Sequence, residues 1–144
     1  MQRKFRSAKA AIRKGKNITP ADDPYAPRPM WYFFYGTLKD PSWLASIAGL
    51  EELPDVTYAK VHRAGLRYWG KYSVLVYGKT GAVVEGVAWF AFTVEVINRL
   101  RAYETDAYYD AFVRIEFKNG EKVMGRVFKW AGDEEDLSDS PESD

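Results

Sequence analysis

The chain has 144 residues, a formal net charge of +1 and 47% hydrophobic residues, including 5 Trp, 10 Tyr and 8 Phe. The length suits one domain with a modest core, and this apolar content excludes a wholly disordered chain. The chain has no cysteine, which excludes disulfides, thiolate catalysis and cysteine-based zinc sites, and its lone histidine, His62, excludes a histidine-rich metal cluster.

Charge is concentrated at the two ends, with opposite signs. Residues 1–30 contain eight Lys or Arg against two Asp, whereas residues 131–144 contain seven acidic residues and no basic one. Both ends are poor in the large apolar side chains that would anchor them, so we predict a basic, Pro-rich disordered arm over 1–29 and an acidic disordered tail over 134–144. The domain between them is predicted to span 30–133.

The compartment predicted from these features is the cytoplasm. No apolar run approaches the roughly 20 residues that a membrane span needs. The basic N-terminal residues also match the composition of a mitochondrial presequence or a basic surface helix, so a mitochondrial location is the alternative.

The domain is predicted to begin with an aromatic strand followed by a helix. Residues 31–35 form an apolar run of strand length that stops at Gly36. Asp40 suits the N-cap of the helix, Pro41 suits its first position, and Gly49 suits its end. The apolar face of this helix is predicted to consist of Trp43, Leu44, Ile47 and Ala48.

Strand patterns follow, then a second helix and a closing hairpin. Residues 56–92 read as strands separated by a turn at 78–81, and Thr93 suits the N-cap of the second helix. Asn119-Gly120 is a preferred tight-turn pair within a hairpin over 113–130. This order predicts an α+β fold, with a mixed, mostly antiparallel sheet rolled into a small barrel and two or more flanking helices.

Glu104 is the candidate catalytic residue of the second helix. Ile97, Leu100 and Glu104 share one helical face, so the carboxylate is expected to be at least partly buried. Burial raises the pKa of a carboxyl group and suits it to proton transfer near neutral pH. The alternative is a side chain that turns outward at the helix end and pairs with Arg101 or Lys129.

The second candidate feature is Tyr35-Gly36-Thr37-Leu38, where the first strand passes into a loop. Glycine at such a turn allows backbone amides to point into one concavity and hold an anion. The alternative is an ordinary strand-to-helix turn. Lys39 and Asp40 adjoin this loop, although helix capping explains Asp40 more simply.

Three segments occur in an order that resembles a known family. They are Phe-Phe-Tyr-Gly-Thr-Leu-Lys-Asp-Pro at 33–41, Tyr-Trp-Gly-Lys-Tyr-Ser-Val-Leu-Val at 68–76 and Leu-Arg-Ala-Tyr-Glu-Thr-Asp-Ala-Tyr-Tyr at 100–109. Together they resemble gamma-glutamylcyclotransferase-fold proteins, in particular fungal-type members of the avirulence-induced-gene-two-like branch. The resemblance covers residues 31–133 and implies the fold of that family.

The resemblance also implies an activity. In such enzymes the α-amine of a small-molecule gamma-glutamyl substrate attacks its own γ-carbonyl, which releases 5-oxoproline and a free amine or amino acid without a metal or cofactor. Glu104 falls on the general acid/base position. The substrate-binding residues implied are Tyr35, Gly36, Thr37, Leu38, Lys39, Asp40, Tyr72 and Tyr108, with core packing as the alternative for the last two. Many members place glycine after the glutamate, where this chain has Thr105.

Other functions stay open at this point. A domain of the same fold can bind a small ligand or a protein without catalysis. The basic arm can bind nucleic acid or an anionic membrane, but the acidic tail competes for the same basic residues, so no nucleic-acid partner is expected. Glutathione, gamma-glutamyl amino acids and gamma-glutamyl-lysine amides share the glutamyl group, so the motifs leave the leaving group undetermined. The oligomeric state is also left open.

Overall fold

The computed structural model of the chain describes residues 26–142, apart from the side chain of Asp106. Most of the predicted arm over 1–29 therefore lies outside the described residues, as do the last two residues of the chain. The described strands and helices are, in order, β1 (Met30–Phe34), α1 (Pro41–Ala48), β2 (Thr57–His62), β3 (Ala64–Trp69), β4 (Tyr72–Tyr77), β5 (Val83–Ala91), α2 (Val94–Glu104), β6 (Tyr108–Phe117) and β7 (Lys122–Trp130). Within this part of the chain, no helix is long and apolar enough to cross a membrane.

Five strands close into a barrel in the order β1-β5-β2-β6-β7. The β1–β7 contact, where Tyr32 faces Arg126, is parallel, and the other pairings in the barrel are antiparallel. Strands β3 and β4 form a separate two-stranded sheet. The predicted α+β fold, with a mixed and mostly antiparallel barrel flanked by helices, is confirmed.

The two helices begin where their caps predict. The Asp40 carboxylate accepts a hydrogen bond from the amide of Ser42 at 3.0 Å, and the Thr93 hydroxyl accepts one from the amide of Val96 at 3.1 Å. Gly49, with φ of 74°, ends α1. Of the predicted apolar face of α1, Leu44 and Ala48 are buried, whereas Trp43 is 48% exposed. The indole nitrogen of Trp43 donates a hydrogen bond to the Tyr103 hydroxyl at 3.0 Å.

Two apolar clusters form the core. One joins the helices to one face of β1, β5 and β7, and it includes Tyr32, Phe34, Leu44, Trp89, Ile97, Leu100 and Phe128. The other draws on all five barrel strands and so fills the barrel, and it includes Phe33, Val61, Ala88, Ile115 and Val127. Neighbouring residues of β1 alternate between the two clusters, as side chains on opposite faces of a strand must.

The closing hairpin is present but is longer than its alternating pattern indicated. Strand β6 begins at Tyr108, which pairs with Trp130 of β7. Asp110 interrupts the apolar alternation of β6. Its carboxylate is surrounded by Tyr32, Arg101 and Arg126, none of which lies near it in β6. In the turn over residues 118–121, Gly120 has φ of 92° and the amide of Phe117 donates to the carbonyl of Glu121 at 2.8 Å.

The acidic C-terminal segment is placed differently from the prediction of a disordered tail over 134–144. Residues 134–136 form a short 3-10 helix, and Leu137 is only 7% exposed. Ser138 and Tyr68 exchange two backbone hydrogen bonds, of 2.9 and 2.8 Å. The segment up to residue 142 thus satisfies the backbone groups along the outer edge of β3, which would otherwise lack partners.

Candidate active site

A cavity of about 570 Å³ opens where the end of β1, the end of α2 and the β3–β4 hairpin meet. Its volume falls within the range of roughly 300–1,000 Å³ that is typical of small-molecule sites. It is lined by Phe33, Phe34, Tyr35, Gly36, Thr37, Leu38, Trp69, Lys71, Tyr72, Ser73, Tyr103, Glu104, Thr105, Ala107, Tyr108 and Phe128.

Glu104 lines this cavity from the last turn of α2. It follows Ile97 and Leu100, both fully buried, along one helical face. Burial raises the pKa of the Glu104 carboxyl group from its ordinary value to about 7. Arg101, the expected alternative partner, pairs instead with Asp110 at 2.9 Å. A carboxyl group with a pKa near neutrality is able both to accept and to donate a proton.

Tyr35 is anchored from both sides of the cavity. Its hydroxyl donates to the carbonyl of Phe128 at 2.9 Å and accepts from the amide of Leu75 at 3.1 Å. Burial raises the pKa of this hydroxyl well above its ordinary value, and the negative charge of Glu104 adds to the shift. The hydroxyl is thus engaged in joining β4 to β7, and the ring is left to line the cavity.

The loop after β1 turns sharply beside the cavity. A 3-10 turn over Thr37–Lys39 forms as the amide of Lys39 donates to the carbonyl of Gly36 at 3.0 Å. The φ of Gly36 is −116°, outside the left-handed region, and an added β-carbon would lie 3.5 Å from the Ser73 hydroxyl oxygen, an ordinary contact. Neither φ nor the surrounding protein therefore demands glycine at this position.

Tyr103 connects this loop to both helices. Its hydroxyl lies 3.3 Å from the Thr37 hydroxyl and accepts a hydrogen bond from Trp43. Because Tyr103 precedes Glu104 in α2, these contacts hold the loop and the carboxylate against one another.

Thr105 ends α2 in an unusual backbone conformation, with φ of 61° and ψ of −165°. Its amide donates to the carbonyl of Arg101. This is a region that glycine enters freely and that a β-branched residue enters only with strain. The substitution noted in the sequence thus lies at a position whose geometry favours glycine.

The structure brings most of the predicted site residues together. Tyr35, Gly36, Thr37, Leu38, Tyr72, Glu104 and Tyr108 all line the cavity. Burial, followed by the charge of Glu104, raises the pKa of Tyr108 to about 12. Lys39 and Asp40 are not among the lining residues, because the chain has turned away into α1 and the Asp40 carboxylate caps that helix. His62 lies away from the cavity and contacts Glu116 at 2.5 Å.

The lining residues that were not predicted as site residues include Lys71, Ser73 and Tyr103. Lys71 and Ser73 flank Tyr72, which was predicted as a site residue, and this nearness in sequence was the available signal. For Tyr103, the only indication of a role in the site was its position next to Glu104 in the sequence. No group of three or more His, Asp or Glu side chains suited to a metal ion occurs among residues 26–142.

Comparisons with known proteins agree on the kind of fold. A family model described as gamma-glutamyl cyclotransferase, AIG2-like, matches residues 32–144. No curated protein matches the chain in sequence. Two Arabidopsis thaliana solution structures are similar in fold: one has a TM-score of 0.63 at 23% identity, covering 75% of this chain and 74% of that one. The other has a TM-score of 0.64 at 24% identity, covering 82% and 71%.

A third similar structure is that of a protein named gamma-glutamyl cyclotransferase. Its TM-score is 0.61 at 14% identity, with 72% of this chain and 67% of that one covered. Because their identities to this chain are below 25%, the three structures show similarity of fold only. Membership of the family is shown by the family model, which matches residues 32–144.

Proposed function

The chain belongs to the gamma-glutamyl cyclotransferase, AIG2-like family, and from this premise we propose that it cyclises a gamma-glutamyl substrate to 5-oxoproline with Glu104 as general acid and base. The observation that carries the proposal is the position of Glu104. It is a partly buried carboxyl group whose pKa is raised to about 7, in the same cavity as the loop over residues 35–38. Both features are those expected of a group that exchanges protons near neutral pH.

The proposed reaction needs one proton carrier and no added water. The Glu104 carboxylate takes a proton from the α-ammonium of the glutamyl group, and the freed amine attacks the γ-carbonyl carbon. The tetrahedral intermediate collapses as the carbon–nitrogen bond to the leaving group breaks, and Glu104 returns its proton to that nitrogen. Glu104 then takes the second proton from the nitrogen of the new lactam and passes it to the released amine, so that the carboxylate is regenerated. Attack within one molecule supplies proximity without a covalent enzyme intermediate.

The loop over residues 35–38 is proposed to hold the glutamyl end of the substrate. The first amides of a helical turn have no partner within the turn, and the 3-10 turn after β1 begins at the cavity wall. Such amides suit a carboxylate, or the oxyanion that develops on the γ-carbonyl during attack. Tyr72 and Tyr108 are proposed to complete the wall, whereas Lys39 and Asp40 are proposed to act through the shape of the loop.

The test is release of 5-oxoproline from a panel of gamma-glutamyl amino acids, peptides and amines. We expect the wild type to be active and Glu104→Gln to lower the rate of 5-oxoproline release roughly 10²–10⁴-fold. Glutamine keeps the shape of the side chain but cannot accept or donate a proton near neutral pH. Glu95→Gln is the matched control, because Glu95 lies on the same helix with an exposed side chain. Circular dichroism should show all three proteins folded.

Two results would count against this proposal. One is a wild-type protein that releases no 5-oxoproline from any substrate; calorimetric binding of 5-oxoproline by that protein would then support a non-catalytic binding domain. The other is full activity in Glu104→Gln.

A further inference from the structure

The β3–β4 hairpin forms one wall of the cavity and is separate from the barrel sheet. It contributes Trp69, Lys71, Tyr72 and Ser73 to the lining. Its tip is Gly70-Lys71, and the aromatic residues on either side of that tip are open to solvent, with Trp69 43% and Tyr72 55% exposed. The hairpin tip therefore forms part of the mouth of the cavity.

Charge divides the cavity into an inner acidic end and an outer basic end. Glu104 and Lys71 are the charged residues among those that line it. Glu104 is partly buried, whereas Lys71 is exposed. The Lys71 ammonium lies 5.9 Å from the centre of the Tyr72 ring. Within residues 26–142 it forms no ion pair with a carboxylate. A positive charge without an acidic partner at the mouth is available to an anionic ligand.

The position of the tip relative to the loop indicates which part of the substrate it contacts. Gly36 adjoins Ser73, because an added β-carbon there would lie 3.5 Å from the Ser73 hydroxyl oxygen. Lys71 lies in the turn of the hairpin, two residues from Ser73 in the chain, and its side chain is exposed. If the glutamyl end lies against the loop, Lys71 is on the outward side, where the leaving group begins.

The size of the cavity supports a bound leaving group. At about 570 Å³ it lies in the range that accommodates drug-sized ligands, which are larger than a glutamyl group alone. The leaving group is therefore expected to lie between the aromatic rings at the tip and not wholly in solvent.

We propose that Lys71 binds a carboxylate on the leaving group, so that the substrates are gamma-glutamyl amino acids or short peptides in preference to gamma-glutamyl amines that lack an acid group. This inference rests on the proposed cyclotransferase activity. Lys71 acts here as a specificity determinant through charge, and Trp69 and Tyr72 supply apolar surface for the side chain of the leaving residue.

One acidic residue near the tip opposes this preference. The amide of Glu142 donates to the carbonyl of Gly70 at 3.0 Å, and its carboxylate oxygen lies 3.9 Å from where a Gly70 β-carbon would stand. This negative charge repels an anionic leaving group. Removing Lys71 or Glu142 should therefore shift specificity in opposite directions.

The experiment compares a gamma-glutamyl amino acid with its C-terminal carboxamide, which has the same shape without the charge. We expect the wild type to have a lower KM for the gamma-glutamyl amino acid than for its carboxamide. Lys71→Met should lower kcat/KM for the acid roughly fivefold and leave the carboxamide unchanged. Lys71→Arg should keep the preference, and Glu142→Gln should increase it. Lys79→Met, at an exposed lysine outside the cavity, is the control. Added salt should reduce the preference for the acid.

The outcomes separate this inference from the proposed function. Activity with no acid preference, or an equal loss on both substrates in Lys71→Met, overturns the role of Lys71 and leaves the cyclotransferase intact; an equal loss would assign Lys71 to the glutamyl end. If no substrate of the pair or of the wider panel is turned over by wild type, the proposed function fails and this inference falls with it.

Discussion

Thr105 holds the backbone beside the proposed base in a conformation that suits glycine. Non-glycine residues in such regions carry of the order of 1–3 kcal/mol of strain. The Thr105 hydroxyl offsets part of it, because it donates to the carbonyl of Glu104 and accepts from the amide of Ala107 at 3.3 Å. The strain is tolerated because the surrounding turn joins α2 to β6 within three residues.

Replacing Thr105 by glycine should therefore stabilise the fold. We expect a gain of about 1 kcal/mol in the free energy of unfolding, since relief of strain exceeds the added entropy of the unfolded chain and the lost hydroxyl contacts. Thr105→Ala is the matched variant, because it loses the hydroxyl but keeps the β-carbon, and it should be destabilised. Urea denaturation measures both, and a glycine variant less stable than the alanine variant would contradict the strain argument.

Glu104 should make both activity and stability depend on pH. The base is active as the carboxylate, so kcat/KM should rise with pH through an apparent pKa of about 7. Stability changes in the opposite direction. Folding raises the pKa, so the folded state keeps its proton over a range where the unfolded state has lost it, and the contribution of Glu104 falls as pH rises from 4.5 to about 7.

Glu104→Gln isolates this effect, because glutamine does not titrate. We expect the stability of the variant relative to wild type to increase by about 3 kcal/mol between pH 4 and pH 8, at about 1.4 kcal/mol for each pH unit between the two pKa values. Urea denaturation of both proteins across this range measures it. A difference that does not change with pH would show that Glu104 is solvated in the folded protein.

At the scale of elements, a buried charge cluster joins α2 to the barrel. One Asp110 oxygen on β6 accepts from the Tyr32 hydroxyl at 2.6 Å and from Arg101 of α2 at 3.0 Å. Arg126 of β7, only 1% exposed, lies 3.4 Å from the same oxygen, close enough for charge attraction without hydrogen-bond geometry. The cluster spans the turn that contains Thr105 and so fixes the end of α2 that bears Glu104.

Asp110→Asn should destabilise the protein by roughly 3–5 kcal/mol, because it removes the negative charge opposite two buried or partly buried guanidinium groups. The comparison is Glu95→Gln, which breaks an exposed Glu95–Arg99 pair of 3.9 Å on the same helix and should cost no more than about 0.5 kcal/mol. Chemical denaturation measures the free energy of unfolding of both variants. A loss in Asp110→Asn as small as that of the control would mean that the cluster does not hold α2 in place.

At the scale of the whole molecule, the cavity exists because three separate units meet. The barrel provides β1 and the loop after it, α2 provides Glu104, and the independent β3–β4 hairpin closes the third side. The hairpin is held from both edges. Tyr35 links it to β7, and the C-terminal segment pairs with β3, where Arg67 also contacts the carbonyl of Leu137 at 3.0 Å. Residues far apart in the chain thus set the shape of one wall.

The sequence by itself determined the elements and their order, because caps, turns and apolar periodicity act over a few residues. Asp40, Thr93, Gly49 and Gly120 each have the local role that was predicted for them. The position of Glu104 on a buried helical face followed from the same kind of local pattern.

Only the tertiary structure decided which residues form the site. Tyr35 bonds to Phe128 across 93 positions, and Tyr32 to Asp110 across 78, so no local pattern contains either contact. Lys39 was predicted into the site by its nearness in sequence to Tyr35, yet the chain turns away before it, whereas Lys71 enters from the hairpin. The burial of Leu137 likewise depends on tertiary structure. The C-terminal segment pairs with the outer edge of β3, and this edge exists only once β3 and β4 have paired.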